Sequence, residues 1–353
     1  MDEVASPEAP RPNLAAVAAL AGVSASTASL AFSGAGPVSD ATRAKVLAAA
    51  ETLNYAGPDP RAQSLRRGRS GIVGVVLEDS VSDAFRDPMN IATLDGIADA
   101  LGPSGSALLL LTDNAEGPSS FRTVPIDGVV LIGCSTRLAD AVHVFRQRGV
   151  PIVGVETEPM DSVLAIDLDN RAGSRALAEH LRELGHRDVV MVALPLDAVH
   201  SRGWLTHERE AASEGYTASQ RILGVRDVFA SAKGYVGAAS TVDEGYRAAL
   251  EILAVPDRPT AIIAQSDLLA VGVIRGAQEL GLRVPEDLSV VGFDGVRLDG
   301  IAPIDLTTMV QPAFDKGRAA GEGVLALLDG EDAPPMSFTS EFHRGATTAA
   351  PRR

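Results

Sequence analysis

The chain has 353 residues, which is more than one hydrophobic core usually covers, so two or three domains are expected. Apolar residues make up 46% of the chain and aromatic residues only 4%, a composition that suits helices packed on buried parallel strands and favours an α/β architecture. The net charge of -15 argues against nucleic-acid binding by the chain as a whole, because DNA binding requires a cationic surface.

The charge is distributed unevenly along the chain. Residues 11–70 hold seven basic and three acidic residues, whereas residues 71–353 hold 24 basic and 40 acidic ones. A cationic amino-terminal part attracts phosphates while the acidic remainder is repelled by them, which would orient the former toward DNA. An acidic surface that serves solubility is the alternative interpretation of the same numbers.

Residues 1–12 form an acidic, Pro-rich leader that we expect to be disordered, and residues 13–56 contain three short helical segments. A residue that can cap the first turn precedes each segment. The predicted caps and helices are Asn13 with Leu14–Ala21, Ser24 with Ala25 to about Phe32, and Ser39 with Asp40–Leu53. Gly22 supplies the first turn, so residues 13–56 are predicted to form a helix–turn–helix domain, although an Ala-rich helical hairpin would show the same pattern.

A connector rich in Pro and Arg spans residues 57–70, and residues 71–353 then alternate between short apolar runs and amphipathic stretches of helical length. This alternation predicts βαβ units with parallel sheets. The predicted strands are Ile72–Leu77, Leu108–Leu111, Val129–Ile132, Ile152–Val155, Val189–Val192, Ala261–Ala264 and Leu288–Gly292. The stretch from Leu196 to Tyr216 lacks clear periodicity and is predicted to be a loop-rich insertion.

Several features favour a cytoplasmic protein. Cys134 is the single cysteine, so no disulfide forms within the chain and a reducing compartment is expected. No stretch approaches the roughly 20 apolar residues of a membrane span. The apolar run Leu14–Val23 is similar to a signal-peptide core, but its flank is acidic rather than basic, so we expect neither export nor a membrane partner.

Signatures of catalysis, cofactors and metals are weak. Gly321 begins a run that fits a dinucleotide fingerprint by its letters, but the run lies in a helical pattern rather than after a strand. The sequence has no phosphate-binding Gly-Lys-Ser/Thr loop and no nucleophile elbow, and its six histidines lack metal-ligand spacing. We therefore expect a protein that is not an enzyme and has no cofactor and no metal.

Several motifs, in the right order, resemble the lactose/galactose-repressor (LacI/GalR) family. In the amino-terminal part these are the run from Leu14 to Ser29, the run from Pro37 to Val46, and Leu53-Asn-Tyr; the connector from Pro58 to Ser70 resembles the hinge helix of that family. Further along they are Asp169-Asn-Arg-Ala-Gly, the run from His180 to Arg187, the run from Gly281 to Asp294, and Leu306-Thr-Thr-Met-Val-Gln-Pro. The likeness covers nearly the whole chain from about residue 13.

The resemblance implies an α/β protein with an all-α helix–turn–helix domain and a periplasmic-binding-protein-like domain over residues 71–353. In the latter, two Rossmann-like lobes with parallel sheets would be joined by three crossovers near residues 165, 295 and 330. A homodimer would bind double-stranded operator DNA, and a small sugar-like effector would bind in the cleft between the lobes. The loop-rich insertion is expected near this cleft, where Trp204 could stack on a sugar ring.

By position, the resemblance implies base contacts from the second helix, and these residues are Ala25, Ser26, Thr27 and Ser29. Leu30 stands where the family commonly has Arg, so a bidentate guanine contact is not expected there and core packing is its favoured role. In the connector, Leu65 is implied to wedge into a minor-groove base step while basic residues meet phosphates; a flexible basic linker is the alternative. The basic residues assigned to DNA are Arg61, Arg66, Arg67 and Arg69.

The positions that match the family's effector contacts are Phe85, Glu156, Arg221, Ser266, Asp294 and Gln311. Arg221 and the carboxylates can grip hydroxyls or an anionic group through charge-assisted hydrogen bonds. Ser266 replaces the usual Asn and Gly295 the usual second acid, so the resemblance does not specify a sugar. Asp267 is expected to cap the next helix rather than to contact the effector.

Together these inferences predict a sequence-specific DNA-binding transcriptional regulator, most simply a repressor, whose operator affinity changes when an effector binds. Two alternatives stay open at this point. A solute-binding protein shares the lobed fold but would need an export signal, and an α/β enzyme would need turnover in the cleft.

Overall fold

The computed structural model describes residues 12–34, 36–59, 64–65, 68–77, 85–112, 120–133, 138–197, 199–255, 257–298 and 303–352. The chain divides into two compact units, residues 1–70 and 71–353. We call the first unit the head and the second unit the body. The predicted leader lies outside the described residues except for Pro12, and so does Cys134.

The described residues of the head include the helices α1 (Leu14–Ala21), α2 (Ala25–Ser33) and α3 (Asp40–Thr52). The predicted caps are confirmed, because the side chains of Asn13, Ser24 and Ser39 each accept a hydrogen bond from a backbone N–H in the first turn, at 3.0, 3.1 and 3.3 Å respectively. Gly22 ends α1 with φ 66°, a left-handed conformation that glycine adopts without strain.

The three helices share a small core. The chain bends by 102° between α1 and α2, within the range of about 90–120° that helix–turn–helix motifs show. Val17, Ala28 and Val46 are buried between the helices, and the rings of Phe32 and Tyr55 meet edge to face with their centroids 5.7 Å apart. The segment is therefore a three-helix domain rather than an isolated helical hairpin.

The strands of the body are short. They are β1 (Ile72–Leu77), β2 (Ala107–Thr112), β3 (Gly128–Ile132), β4 (Ile152–Val155), β5 (Val163–Leu168), β6 (Val189–Ala193), β7 (Gly203–Trp204), β8 (Lys233–Val236), β9 (Ala261–Ala264), β10 (Ser289–Val291), β11 (Thr308–Val310), β12 (Met336–Phe338) and β13 (Glu341–His343). All seven predicted strands are present, with bounds that differ by one residue at most. The strands missed by the prediction are β5, β7, β8, β11, β12 and β13.

Two sheets define two lobes. Within the described residues, the first-lobe sheet has the order β12-β5-β4-β3-β1-β2, and its neighbouring strands are parallel. The second-lobe sheet has the order β10-β9-β6-β8-β7, with only the edge strand β7 antiparallel to its neighbour. A separate antiparallel pair joins β11 and β13. The predicted two-lobed body with parallel sheets is confirmed.

The helices of the body are α4 (Pro88–Leu101), α5 (Leu138–Gln147), α6 (Asn170–Glu183), α7 (His207–Ala211), α8 (Tyr216–Arg226), α9 (Val242–Leu253), α10 (Asp267–Glu279) and α11 (Ala313–Leu328). In the first lobe α4 and α11 pack together on one face of the sheet and α5 covers the other. Successive residues Val75 and Val76 of β1 enter the two different cores, as the period of two along a strand requires.

Helices α4 and α11 approach each other closely because of glycine. A Cβ added at Gly317 would lie 2.0 Å from the backbone oxygen of Thr93, a distance at which atoms overlap. This close contact fixes the first turns of α11 against the lobe. The glycine-containing run that begins at Gly321 also lies inside α11, so it is a helical segment and not a phosphate loop.

Within the residues that the structure describes, the chain passes between the lobes three times. The first crossing, over residues 168–170, leads from β5 of the first lobe to α6 of the second. The second, over 310–313, returns from β11 to α11 of the first lobe. The third, over 338–341, leads from β12 of the first lobe to β13 of the second. Asp169 ties two of these crossings together, because its Oδ1 accepts hydrogen bonds from the backbone N and the hydroxyl of Ser340 at 2.9 and 2.8 Å. The second and third crossings come later in the chain than the expected positions near 295 and 330, because residues 292–298 and 303–310 stay with the second-lobe core.

No single helix in the described part of the chain is long and apolar enough to cross a membrane; α1 and α2 satisfy the length and composition requirement only as a bent pair.

Candidate DNA-contacting head and inter-lobe cleft

The second helix of the head begins with an accessible turn. Ala25 and Ser26 are exposed, and Thr27 and Ser29 are half-buried. The hydroxyl of Ser24 lies 2.8 Å from both the Ser26 and the Thr27 hydroxyls, so the capping serine also orients the first two hydroxyls of α2. A recognition helix reads DNA with such amino-terminal residues, and the turn has the accessibility that this role requires.

Leu30 occupies an intermediate position. Its side chain is 38% exposed, and its Cδ2 lies 3.3 Å from where a Cβ on Gly36 would stand. The side chain thus packs over the turn that follows α2 and does not enter the buried core of the head. The predicted core role for Leu30 is therefore only partly realised.

The connector places an apolar side chain in solvent. Ser64 and Leu65 are helical, and Leu65 is 86% exposed. An apolar side chain this accessible is available to insert between bases. Arg69 is exposed as well, whereas Arg61, Arg66 and Arg67 lie outside the described residues.

The cleft of the body lies where the strands of both lobes end, as expected for parallel α/β sheets. Its lining includes residues within two positions of the carboxyl ends of β3, β4, β6 and β9, together with side chains from helices that start near these ends. The lining is Asp87, Met89, Asn90, Thr93, Ile132, Gly133, Val155, Glu156, Leu194, Thr217, Arg221, Ser240, Ser266, Asp294, Gln311 and Lys316.

A first set of polar contacts crosses the cleft at Glu156. This residue follows β4 in the first lobe, and its Oε1 accepts a hydrogen bond from the Nζ of Lys316 on α11. Its Oε2 accepts from the Nδ2 of Asn170, the first residue of α6 in the second lobe, at 2.7 Å. Asn170 in turn accepts from the Nε of Arg221 at 2.7 Å. Glu156 therefore connects the two lobes.

A second set of contacts closes the ring. The Nη1 of Arg221 donates to the backbone oxygen of Gln265 and lies 3.4 Å from the Oδ1 of Asp294. The same oxygen accepts from the Nε2 of Gln311 at 2.6 Å, and the Oε1 of Gln311 accepts from Lys316. We call these six residues, Glu156, Asn170, Arg221, Asp294, Gln311 and Lys316, the cleft ring.

The charges of the cleft ring are shielded from water. Arg221 is 3% and Lys316 is 1% exposed, and the guanidinium carbon of Arg221 lies 3.7 Å from the ring centroid of Phe293, a cation–π contact. Burial alone would raise the pKa of Glu156, but the charges of Lys316 and Arg221, together with the hydrogen bonds from Lys316 and Asn170, lower it. Burial raises the pKa of Asp294 well above its usual range in spite of Arg221.

Backbone conformation also marks the two carboxylates of the cleft ring. Glu156 has φ 53° and Asp294 has φ 124°, values in the left-handed region that side-chain-bearing residues adopt at a cost. Such strained positions cluster at ligand sites. They support a binding role for the two carboxylates.

The helix α10 is capped by Ser266 and not, as the sequence analysis expected, by Asp267. The hydroxyl of Ser266 caps α10 by accepting from the backbone N of Leu269 at 3.2 Å, and it also accepts from the Ser240 hydroxyl at 2.8 Å. Asp267 is not the cap. Its Oδ1 accepts from the Thr308 hydroxyl at 2.6 Å and its Oδ2 from the backbone N of Val296 at 2.9 Å, so it anchors the segment that leads to the second crossing.

Two expected effector contacts lie away from this lining. Phe85 is 59% exposed and is not part of the cleft wall in the described residues. Trp204 on β7 pairs with Tyr235, with ring centroids 5.7 Å apart, and lines a different cavity near the amino ends of the second-lobe strands. The expectation that Trp204 stacks on a ligand in the cleft is therefore wrong, because β7 is the outer edge strand of its sheet.

Lys316 and Asn170 are cleft residues to which the sequence analysis gave no role. Asn170 lies within a motif that carries the resemblance, directly after Asp169. Lys316 lies on α11, five residues after Gln311 in the chain. A lysine at an inward position of an apolar helix is the sequence signal that could have revealed its role. Among the described residues, no group of three or more His, Cys, Asp or Glu could hold a metal ion.

Fold and site define a class of protein, a helix–turn–helix head joined by a basic connector to a two-lobed body with a polar cleft. The head over residues 13–57 matches the model of the bacterial regulatory proteins of the lacI family, and residues 178–347 match the periplasmic-binding-protein-like domain. The transcriptional regulator IpsA of Corynebacterium glutamicum is 31% identical over 351 residues, which cover 95% of this chain and 97% of IpsA. The chain belongs to the LacI family.

Solved structures agree with this assignment. The regulator CelR in complex with cellobiose has a TM-score of 0.66 and 25% identity, with 96% of this chain and 100% of CelR covered. The lac repressor dimer bound to operator has a TM-score of 0.77 and 24% identity, with coverages of 96% and 99%. The chain is therefore a DNA-binding transcriptional regulator with an effector-binding body, and its relatives bear the names of regulators rather than of enzymes or solute-binding proteins.

Proposed function

We propose that this regulator represses transcription by binding a roughly palindromic operator as a homodimer in the cytoplasm, without catalysing a reaction. Two-fold symmetry of a dimer is mirrored in the two half-sites of its operator, and the lac repressor is a dimer on its operator. Bases would be contacted by Ala25, Ser26, Thr27 and Ser29, phosphates by Arg61, Arg66, Arg67 and Arg69, and Leu65 would wedge into the minor groove.

We further propose that the effector is a small molecule rich in hydroxyl groups, of the sugar or polyol class. The carrying observation is the cleft ring, which combines buried donors on Arg221 and Lys316 with acceptors on the buried Asp294 and on Glu156, whose side chain is 12% exposed. A hydroxyl group both donates and accepts, so it can replace either partner of these contacts. CelR, a structural relative, is known in complex with cellobiose.

The contacts of the cleft ring support a mechanism for the response. Glu156 and Lys316 belong to the first lobe, whereas Asn170 and Arg221 belong to the second. An effector that takes over these contacts changes which lobe positions are favoured, and the connector ends directly before β1 of the first lobe. Allosteric coupling of this kind typically changes affinity by about 1–3 kcal/mol.

A selection experiment tests the proposal. Purified full-length protein is mixed with fragmented genomic DNA, bound fragments are sequenced, and binding is repeated with sugars, polyols and nucleosides present. We expect enrichment of a few palindromic fragments and release of these fragments by a hydroxyl-rich compound. Equal binding to genomic fragments and random duplex, with and without metabolites, would contradict the proposed function.

A further inference from the structure

The second lobe contains another cavity, at the opposite ends of its strands from the cleft. Its lining includes residues at the amino ends of β6, β8 and β9, the three adjacent strands of the lobe. The cavity has a volume of about 1170 Å³, compared with roughly 300–1,000 Å³ for typical ligand pockets. It is therefore large enough for a molecule of nucleotide size.

Three cations line this cavity without an ion-pair partner among the described residues. Arg187 precedes β6, Lys233 begins β8 and Arg258 precedes β9, and all three are exposed. Neighbouring strands are about 4.8 Å apart, so the three side chains start within a short distance of one another. A fourth cation in the lining, Arg352, pairs with Asp287. Against the two acidic residues of the lining, Asp188 and Asp257, the three cations without an ion-pair partner leave a local excess of one positive charge.

The surroundings make this excess unusual. The lining contains two acidic residues, Asp188 and Asp257, and neither of them pairs with the three cations within the part of the chain that the structure describes. The remainder of the body is acidic overall. A positive pocket on a negative surface focuses the electrostatic field and raises the local concentration of anions.

One wall of the cavity is apolar and aromatic. Trp204 is 41% and Val255 is 46% exposed, while Ile252 behind them is buried. The edge-to-face contact with Tyr235 and the pairing of β7 with β8 hold the indole of Trp204 in place. Phe229 adds a second aromatic ring to the lining. A fixed, partly exposed indole offers a stacking surface for a flat ring.

We propose that this cavity is a second ligand site, distinct from the cleft, which binds a small organic anion that carries an aromatic ring. The ring stacks on the wall formed by Trp204, and the phosphate or carboxylate of the ligand meets Arg187, Lys233 and Arg258. Charge-assisted hydrogen bonds to arginine account for the preference for an anion, and the indole accounts for the preference for a ring.

The single tryptophan of the chain makes the test direct, because tryptophan fluorescence reports on this cavity and not on the cleft. Full-length protein is titrated with AMP, with benzoate, with adenosine as a ring without charge, and with inorganic phosphate as a charge without a ring. We expect saturable quenching by AMP, by benzoate or by both, which identifies the source of the anion, and affinities at least about tenfold weaker for adenosine and phosphate.

Variants locate the binding. Arg187→Ala with Arg258→Ala should weaken AMP or benzoate binding by about tenfold or more, whereas Arg247→Ala, which removes an exposed arginine elsewhere in the same lobe, should not. No saturable response to either anion, equal binding of adenosine or an unaffected double variant would each overturn the proposal, without bearing on operator binding.

Discussion

At the scale of single residues, Lys316 determines the electrostatics of the cleft. Its ammonium is almost fully buried and donates to both Glu156 and Gln311. Two desolvated charges are tolerated only when each has a partner, because removing one partner leaves the other uncompensated. Lys316 and Glu156 are therefore expected to depend on each other for stability.

Replacement of Lys316 by methionine should destabilise the body by about 3–5 kcal/mol, the usual cost of breaking a buried pair. The double variant Lys316→Met with Glu156→Gln removes both charges and should recover most of this loss. Urea unfolding followed by circular dichroism measures both effects. If the double variant were as unstable as the single one, the pair would not be the cause.

Asp267 makes stability depend on pH. Burial raises its pKa from 3.8 to about 7, so the folded state holds a proton between these values that the unfolded state has released. Stability should therefore fall as the pH rises from about 4 to about 7 and then level off. The Asp267→Asn variant cannot titrate at this position, so its urea unfolding midpoint should change less with pH between about 4 and about 7. A parallel profile in both proteins would refute this explanation.

At the scale of elements, the connector between the head and the body contains helical residues at Ser64 and Leu65. A helix confined to residues 57–70 is only marginally stable alone in water, so we expect the helical turn at Ser64 and Leu65 to gain stability from what it contacts. Because Leu65 is exposed, its side chain contributes little packing energy to the free protein, but it can insert into a kinked base step of bound DNA.

Leu65→Ser should thus weaken binding to the selected operator more than binding to random duplex, by about tenfold or more in the ratio of the two affinities. Leu47→Ser is a matched control, because Leu47 is a 46% exposed leucine on α3. Titrations at fixed salt concentration measure both ratios. Equal losses on both DNAs would count against the wedge.

The packing of α4 on α11 sets the position of Lys316. Gly317→Ala places a methyl group against the backbone of Thr93, and overpacking of this kind costs about 1–3 kcal/mol. Gly102→Ala at the end of α4 is the control, since an added Cβ there meets nothing within 4 Å. Thermal unfolding should show a lower midpoint for Gly317→Ala alone. Equal midpoints would show that the helices move apart freely.

At the scale of the whole molecule, the two units have separate cores and opposite charge. Residues 1–70 and 71–353 are each compact, so the body without the head should retain its fold. Deletion of residues 1–70 should abolish operator binding while thermal stabilisation by the effector persists, at about 2.7 kcal/mol when the effector is present at 100 times its dissociation constant. Loss of both activities would indicate that the body depends on the head.

Much of this organisation is encoded locally. Asn13, Ser24 and Ser39 cap the helices that the sequence predicts, because a cap acts within three residues of itself. The seven apolar runs form strands because buried parallel strands are continuously apolar. Short edge strands such as β7 and β12 contain no long apolar run that would predict them. They form because they pair with a neighbouring strand.

The three-helix head, the basic connector, the two-lobed α/β body and the family could all be predicted from the amino-acid sequence. Three features are visible only in the folded protein: which polar side chains meet in the cleft, that Ser266 caps α10 while Asp267 anchors a neighbouring segment, and that Trp204 lines a second cavity. The two groups of features differ in how far along the chain the underlying interactions reach. Caps and hydrophobic periodicity act over a few residues, whereas the contact between Glu156 and Lys316 joins positions 160 residues apart and exists only once the chain has returned to the first lobe and that lobe has folded.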